Sequence, residues 1–434
     1  MTYPSADAPC SSLIATASAA PSPDSITSHL STSDAWQQFD RLTSGGDRPH
    51  LFKQFLPHTF PDSREVDRVV ARMREAGRER ARLRIYAGDE RRDDLSQTAL
   101  AVQPVPGTPA FEGMQDALGL ERFAFIINEL QDWSPDLTTA AASLLSGMFD
   151  LRGIPPWGLE MILFAGNYAG TPFGVHRGFE HAFLCHLGPA NKDFYLWSPE
   201  SYAQLTGGLE DTPNYDHLLA HGVHVVLEPG DVLYLPALWF HIGAQQSYSS
   251  SIAIALYDYP IERWFRSALA DALGSLPADG PTLPHARIHL DRNPLREEVD
   301  HLLATCVRSR LFSNLDDHWF RMLSNAGFLS KRRDLLGSIT LKQDDAVRLI
   351  PPYRICCHAG HAPGRSAVYL RARRFTLASE PALEKLVGRL NRGETLSLSD
   401  AIRHLEHVFE PDATLGVFEA LARTGGLQVV PRGF

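Results

Sequence analysis

Between Trp157 and Tyr259 the chain is written in short apolar runs, each cut off by Gly, Pro or Asn: LEMILFAGN, GTPFGVH, HAFLCHLG, KDFYLWSP, HVVLEPGDVLYLPALWFHIG and SSSIAIALYD. Short strands with turn signals between them specify an all-β barrel or sandwich. One turn has a visible mechanism: in Glu228-Pro229-Gly230-Asp231, Pro presets φ and Gly supplies a positive φ.

The flanks have a different texture. Residues 1–33 are rich in Ser, Ala, Pro and Thr and read as a disordered tail. A mixed, mainly helical flank follows over 34–122. Within it, DSREVDRVVARMREAGRERARL spaces Val66, Val69, Val70 and Met73 on one helical face, with Asp62-Ser63 as the expected cap. FAFIINEL reads as a buried strand, and WSPDLTTAAASLLSGMFDL as a helix starting near Ser134 or Pro135. The barrel is expected over 123–260 and helices over 261–345. Residues 346–434 mix short strands (AVYLRARRFTL, LQVV) with two helical segments (PALEKLVGRLN, SDAIRHLEHVF), the second capped near Ser397. That is the outline of a winged-helix-like module, and the whole reads as an α+β chain.

Composition narrows the function classes. A chain of 434 residues with net charge −10 is a poor general binder of nucleic acid or anionic lipid. The segment from Arg371 to Phe434 carries nine Lys/Arg and eight Asp/Glu, so it lacks the basic stripe of a DNA reader. No apolar run approaches the roughly 20 residues needed to cross a bilayer. The start, MTYPSADAPC, has neither the basic nor the apolar region of a secretory signal. The five cysteines, Cys10, Cys185, Cys306, Cys356 and Cys357, are odd in number and scattered, which points to a reducing cytoplasm.

Two histidines stand where chemistry is expected. His176 ends the GTPFGVH run, and His241 follows GDVLYLPALWF, a strand leaving a tight turn. Imidazole is a good ligand for first-row metals, and a catalytic metal needs few protein ligands and open positions. Only a closed β fold could bring these two together from such distant positions.

The run from Phe123 to about Tyr259 resembles the JmjC/cupin oxygenases, especially the bacterial ribosomal-oxygenase-like group. The matching motifs are NELQDWSP, GTPFGVH, FLCHLGPANKDFYLW and, most specifically, GDVLYLPALWFH. The resemblance implies a double-stranded β-helix (cupin/JmjC jelly-roll) core with helical flanks, followed by a helical segment used for dimerisation. It implies Fe(II) held by an HxD/E…H triad, with 2-oxoglutarate chelating the metal and O2 as oxidant. On this reading His176 and His241 are metal ligands, and Lys192 pairs with the distal carboxylate of 2-oxoglutarate. Thr171, His186 and Tyr195 are further pocket candidates. The substrate could be a protein, an amino acid or a natural-product intermediate.

The sequence departs from the pattern at one place. Where the triad carboxylate should stand, the chain reads His176-Arg177-Gly178. Glu180 could supply the carboxylate if the loop folds back at Gly178, although residues four apart on a straight strand are separated by about 13 Å. Alternatively the position stays open for an external ligand, as in iron-dependent halogenases. A third reading is that iron binding is lost and the barrel is a binding module.

Overall fold

The computed structural model describes residues 22–77, 83–88, 90–103, 105, 107–208, 210–258, 261–274, 296, 299–301, 303–330, 339–359 and 364–430. The expected tail is shorter than 1–33. Residues 1–21 lie outside the described residues, but β1 (Thr27–Ser28) pairs in parallel with β2 (His50–Phe52), and Ile26 is buried. Between them lies α1 (Thr32–Leu42), whose N-cap Ser31 accepts from the Asp34 amide. β2 in turn joins the barrel, which short strands without an alternating pattern could not announce.

Helix α2 (Glu65–Glu75) buries Val66, Val69, Val70 and Met73, as their spacing requires. It starts later than expected. Arg64 is the N-cap, and the Asp62 carboxylate accepts from the Arg64 amide instead of capping the helix. Leu83, expected at the helix end, opens β3 (Leu83–Ala87), which pairs with β4 (Glu90–Arg91). Two short helices, α3 (Ser96–Ala101) and α4 (Ala110–Leu118), lead to the buried strand β5 (Phe123–Ile127). Helix α5 (Pro135–Arg152) begins where expected, with the Ser134 hydroxyl accepting from the Leu137 amide.

The barrel strands follow: β6 (Leu159–Tyr168), β7 (His176–Arg177), β8 (His181–Pro189) and β9 (Lys192–Trp197). Helices α6 (Pro199–Thr206) and α7 (Asp216–Leu219) precede β10 (Val223–Leu227), β11 (Val232–Leu235) and β12 (Phe240–Leu256). One sheet runs β1-β2-β11-β8-β12-β6-β5-β3-β4. The opposing sheet is built from β10, β9, β7 and the first residues of β12. Thus β12 serves both sheets. Phe240–Ala244 pair with β9, Ser249–Leu256 pair with β6 and β8, and the register shifts between Gln245 and Ser249. The turn before β11 has Gly230 at φ 97°, as its sequence requires.

Strand alternation places the core and the cavity on opposite faces. Leu159, Met161 and Leu163 of β6, Phe183 and Cys185 of β8, and Ile252 and Ile254 of β12 join the large core against α1 and α5. The intervening Ile162, Phe164, Ala182, Leu184, Ala253 and Ala255 face the inside of the barrel. Three of those six are alanines, and their small size leaves the barrel hollow.

Beyond the barrel lie α8 (Ile261–Gly274) and α9 (Arg308–Ser324); 275–295 and 331–338 lie outside the described residues. The C-terminal part contains β13 (Ala346–Leu349) and a meander of β14 (Cys356–Ala359), β15 (Arg365–Leu370) and β16 (Arg373–Ala378). Then come α10 (Pro381–Asn391), β17 (Leu396–Ser397), α11 (Leu398–Leu405), α12 (Pro411–Arg423) and β18 (Leu427–Val430). β13 lies between β17 and β18. The two-helix outline expected here is therefore extended by a third helix, α12, and by a second sheet. Ser397 is the N-cap of α11, but its hydroxyl bonds Ser399 and caps no backbone amide.

Candidate active site

The barrel encloses a cavity of about 180 Å³ whose polar lining includes His176, His241, Lys192, Thr171, Tyr168 and Glu180. β7 and β12 put the two histidines directly opposite each other, His176 against His241, with ring centroids 4.3 Å apart. The tight turn before β7 requires glycine. Gly174 has φ 77°, and a Cβ there would stand 2.1 Å from the Thr212 carbonyl oxygen.

Both rings are held by the same device. His176 Nδ1 lies 3.1 Å from the Gly174 carbonyl oxygen, and His241 Nδ1 lies 3.0 Å from that of Trp239. A carbonyl can only accept, so each Nδ1 carries the proton and each Nε2 keeps its lone pair. That is the tautomer a metal-binding imidazole needs, with the other nitrogen anchored. Burial lowers the pKa of His176 to about 4. Burial, and then the neighbouring His176, lower that of His241 to about 3. Both rings are therefore neutral near pH 7. Phe173 packs edge-on to His176, and Phe194 stacks on His241 at 5.6 Å.

Lys192 lies deeper in the barrel, 3% exposed. Its Nζ donates to the Tyr168 hydroxyl at 2.9 Å and sits 5.9 Å from the centre of the Phe164 ring. No carboxylate approaches it within ion-pair distance among the described residues, and burial lowers its pKa to about 7. An acid-free buried ammonium is costly unless an anion from outside completes it. Thr171 is also in place. Its hydroxyl donates to the Gly243 carbonyl at 3.2 Å and accepts from the Gly243 amide at 3.1 Å, tying the loop to β12 beside Lys192.

Two expected pocket residues lie elsewhere. Tyr195 is out of phase with Lys192 and Phe194 on β9, so it faces outward and stacks on His224. His186 is fully buried beyond the cavity. Its Nδ1 meets the Ser251 hydroxyl at 2.9 Å and its Nε2 meets the Ala190 carbonyl at 2.7 Å, so both nitrogens are occupied in holding the closed end of the barrel. The three-membered set of His176, His241 and Glu180 is not gathered as a cage. Among the described residues, no three His, Cys, Asp or Glu side chains converge as a metal site. Nor does Gly178 adopt the positive φ expected of a fold-back. The chain bends at Phe179 and Glu180 instead. Tyr168 was not foreseen, although it lies in phase with Ile162 and Phe164 on β6 and so had to face inward.

The barrel, with its two sheets sharing β12, has a cupin-like fold, and the model of the cupin-like domain family matches residues 169–269. The fold is that of the JmjC/cupin group the motifs resemble. Among solved structures, YcfD of Escherichia coli is similar over 91% of this chain and 98% of its own, with 15% identity and a TM-score of 0.51. YcfD, described as a ribosomal oxygenase, is matched again in complex with cobalt and succinic acid and in complex with cobalt and 2-oxoglutarate. Each of these matches has 15% identity and a TM-score of 0.47, over 89% of this chain and 95% of that one. No curated protein sequence matches the chain.

Proposed function

We propose that this chain is a non-haem oxygenase that takes Fe(II) on His176 and His241 and 2-oxoglutarate on Lys192. The observation that carries this reading is the buried Lys192 ammonium, without an acid partner, in the same cavity as two imidazoles with free Nε2 atoms. The donor chemistry fits. Neutral imidazoles suit iron, and a buried cation beside a phenol suits a carboxylate. When bound, the iron and 2-oxoglutarate would supply the activation of O2 for hydroxylating or otherwise oxidising an unactivated carbon.

The protein's own residues have defined tasks. Lys192 and Tyr168 bind the distal carboxylate, and Thr171 fixes the strand beside them. The walls of Ile162, Phe164, Leu184, Leu235 and Phe194 exclude water from the reacting centre. That the neighbouring fold of YcfD is described with cobalt and 2-oxoglutarate supports the assignment, and its description as a ribosomal oxygenase favours a protein among the open substrate classes.

Exposed Ile261, Phe265, Leu273, Phe312 and Trp319 on α8 and α9 support a homodimer built on these helices. Cys185, Cys356 and Cys357 are unpaired, which supports a cytoplasmic location. No described helix is long and apolar enough to cross a membrane.

The test is an anaerobic Fe(II) titration with and without 2-oxoglutarate. A visible absorption band that needs both, and that disappears in His176→Ala and His241→Ala, is the expected result. Full iron occupancy in either histidine variant would overturn the assignment.

A further inference from the structure

Gly170 is a glycine for a reason that its own backbone does not supply. Its φ lies outside the left-handed region, so any residue could adopt its conformation. What excludes a side chain is Tyr215, the residue that precedes α7. A Cβ at residue 170 would stand 1.9 Å from the Tyr215 hydroxyl oxygen, 2.6 Å from its Cζ and 3.1 Å from Ile242 Cδ1. The tip of the tyrosine thus rests on the α-carbon of Gly170.

The same segment grips the turn at its other end. Val175 and Thr212 form an antiparallel bridge, each amide donating to the other's carbonyl at 2.9 Å. Gly174 is pressed against the Thr212 carbonyl oxygen and Pro213 Cα, which a Cβ would meet at 2.1 Å and 2.5 Å. The segment is itself anchored. The Tyr202 hydroxyl of α6 donates to the Glu210 carbonyl at 3.0 Å, the Tyr215 carbonyl accepts from the Leu218 amide at 2.8 Å, and the Tyr215 ring packs on the apolar cluster of Val175, Phe240 and Ile242.

The turn held in this way serves both halves of the cavity. Its Gly174 carbonyl anchors His176 Nδ1, and its Thr171 hydroxyl is tied to Gly243 beside Lys192. The Gly174 amide donates to the Thr171 carbonyl at 2.7 Å, so the turn is closed on itself and a shift of it moves both groups together. A misplacement of about 1 Å can cost a reacting centre about a hundredfold.

We propose that Tyr215 is a positioning residue: with Thr212 it clamps the turn from Gly170 to Val175, so that one rigid unit sets His176 and Thr171. The proposal rests on the metal and 2-oxoglutarate reading above and adds to it a residue outside the cavity lining.

The test uses the full chain. Co(II) alone is titrated and followed by visible d–d absorption, and 2-oxoglutarate is then added to the cobalt form in a calorimeter. Wild type is compared with Tyr215→Phe, Tyr215→Ala, Tyr215→Leu, Gly170→Ala, the double variant Gly170→Ala/Tyr215→Ala and, on the outer face of β9, Tyr195→Ala. Tyr215→Leu keeps apolar packing without reaching Gly170, so it stands in if the alanine variant folds poorly. Tyr215→Ala, Tyr215→Leu and Gly170→Ala are each expected to weaken both ligands about fivefold or more and to change the band intensities. Tyr215→Phe, which keeps the ring over Gly170, and Tyr195→Ala should stay within about twofold of wild type. The double variant should be no worse than the weaker single variant, because both changes act on one contact. Wild-type affinities and bands in Tyr215→Ala and Tyr215→Leu, even with a lowered thermal midpoint, would overturn the proposal and leave the metal site standing. Losses that add in the double variant, or equal losses in Tyr195→Ala, would overturn it as well. Absence of Co(II) binding in wild type would sink the metal-site reading and this proposal with it.

Discussion

Lys192 crosses directly over the α-carbon of Gly243: a Cβ at residue 243 would lie 2.7 Å from Lys192 Cε. The backbone of β12 therefore forms the floor of the channel along which the lysine reaches Tyr168. Gly243→Ala should displace the ammonium and weaken 2-oxoglutarate binding about tenfold, within the worth of a hydrogen bond to a charged group. Metal binding by His176 and His241 should persist. Calorimetry with 2-oxoglutarate on the metal-loaded protein checks it, and unchanged affinity would show that the lysine does not hold the anion.

Removing the charge itself should cost more. Lys192→Met is expected to weaken 2-oxoglutarate by about 1.5–3 kcal/mol, roughly tenfold to a hundredfold. The methionine fills the apolar channel, so the thermal midpoint should not fall with it. A fall in stability without loss of affinity would point to a packing role alone.

The same lysine predicts a pH dependence. An anion needs the ammonium form, and in the empty pocket burial lowers the amine to about 7. Affinity for 2-oxoglutarate should be full below that pH and fall as pH rises above it, by up to about tenfold per unit. His176 and His241, lowered to about 4 and 3, stay neutral across pH 6–9 and add no slope there. Lys192→Arg, if it binds, should show a flat profile, since a guanidinium stays charged. Affinity constant across this range in wild type would contradict the charge state assigned to Lys192.

Much of this site was legible in the sequence, and the errors are instructive. The runs GTPFGVH and GDVLYLPALWF are local signals that singled out His176 and His241, whereas Lys192 entered only through the resemblance to the JmjC/cupin oxygenases. Tyr195 could have been rejected on paper, because it is one residue from Phe194 and three from Lys192, and so on the other face. Tyr168 could have been included by the same parity. His186 could not have been placed by parity, since it shares a face with Ala182 and Leu184 and differs only in depth. Depth depends on Ser251 and Ala190, which are brought near by pairing across strands. The strand β2 was invisible because three residues carry no periodicity, and α12 because its pattern merged with the loop before it.

Gly174 offers a test of how the first histidine is held. Gly174→Ala must adopt a positive φ and also overlap the Thr212 carbonyl oxygen, whereas Gly207→Ala, at φ 73°, has no neighbour within 4 Å. Both should pay the left-handed penalty of about 1–2 kcal/mol. Only Gly174→Ala should lose more than that and also lose metal affinity, because the Gly174 carbonyl anchors His176 Nδ1. Chemical denaturation of the two variants in parallel measures the difference, and equal losses would refute it.

Since β12 carries His241 near one end and the inner alanines near the other, the number of residues between them acts as a ruler. The stretch from Gln245 to Ser249 already absorbs a register shift. One residue more or fewer there would leave the two ends half a period out of step, turning either His241 or Ala253 and Ala255 through the sheet. The turn at Gly207 just after α6, where an added Cβ would meet nothing within 4 Å, carries no such phase relation. Insertions that this surface loop can absorb would, within a few residues of the middle of β12, invert one wall of the cavity while leaving every hydrophobic residue of the strand present.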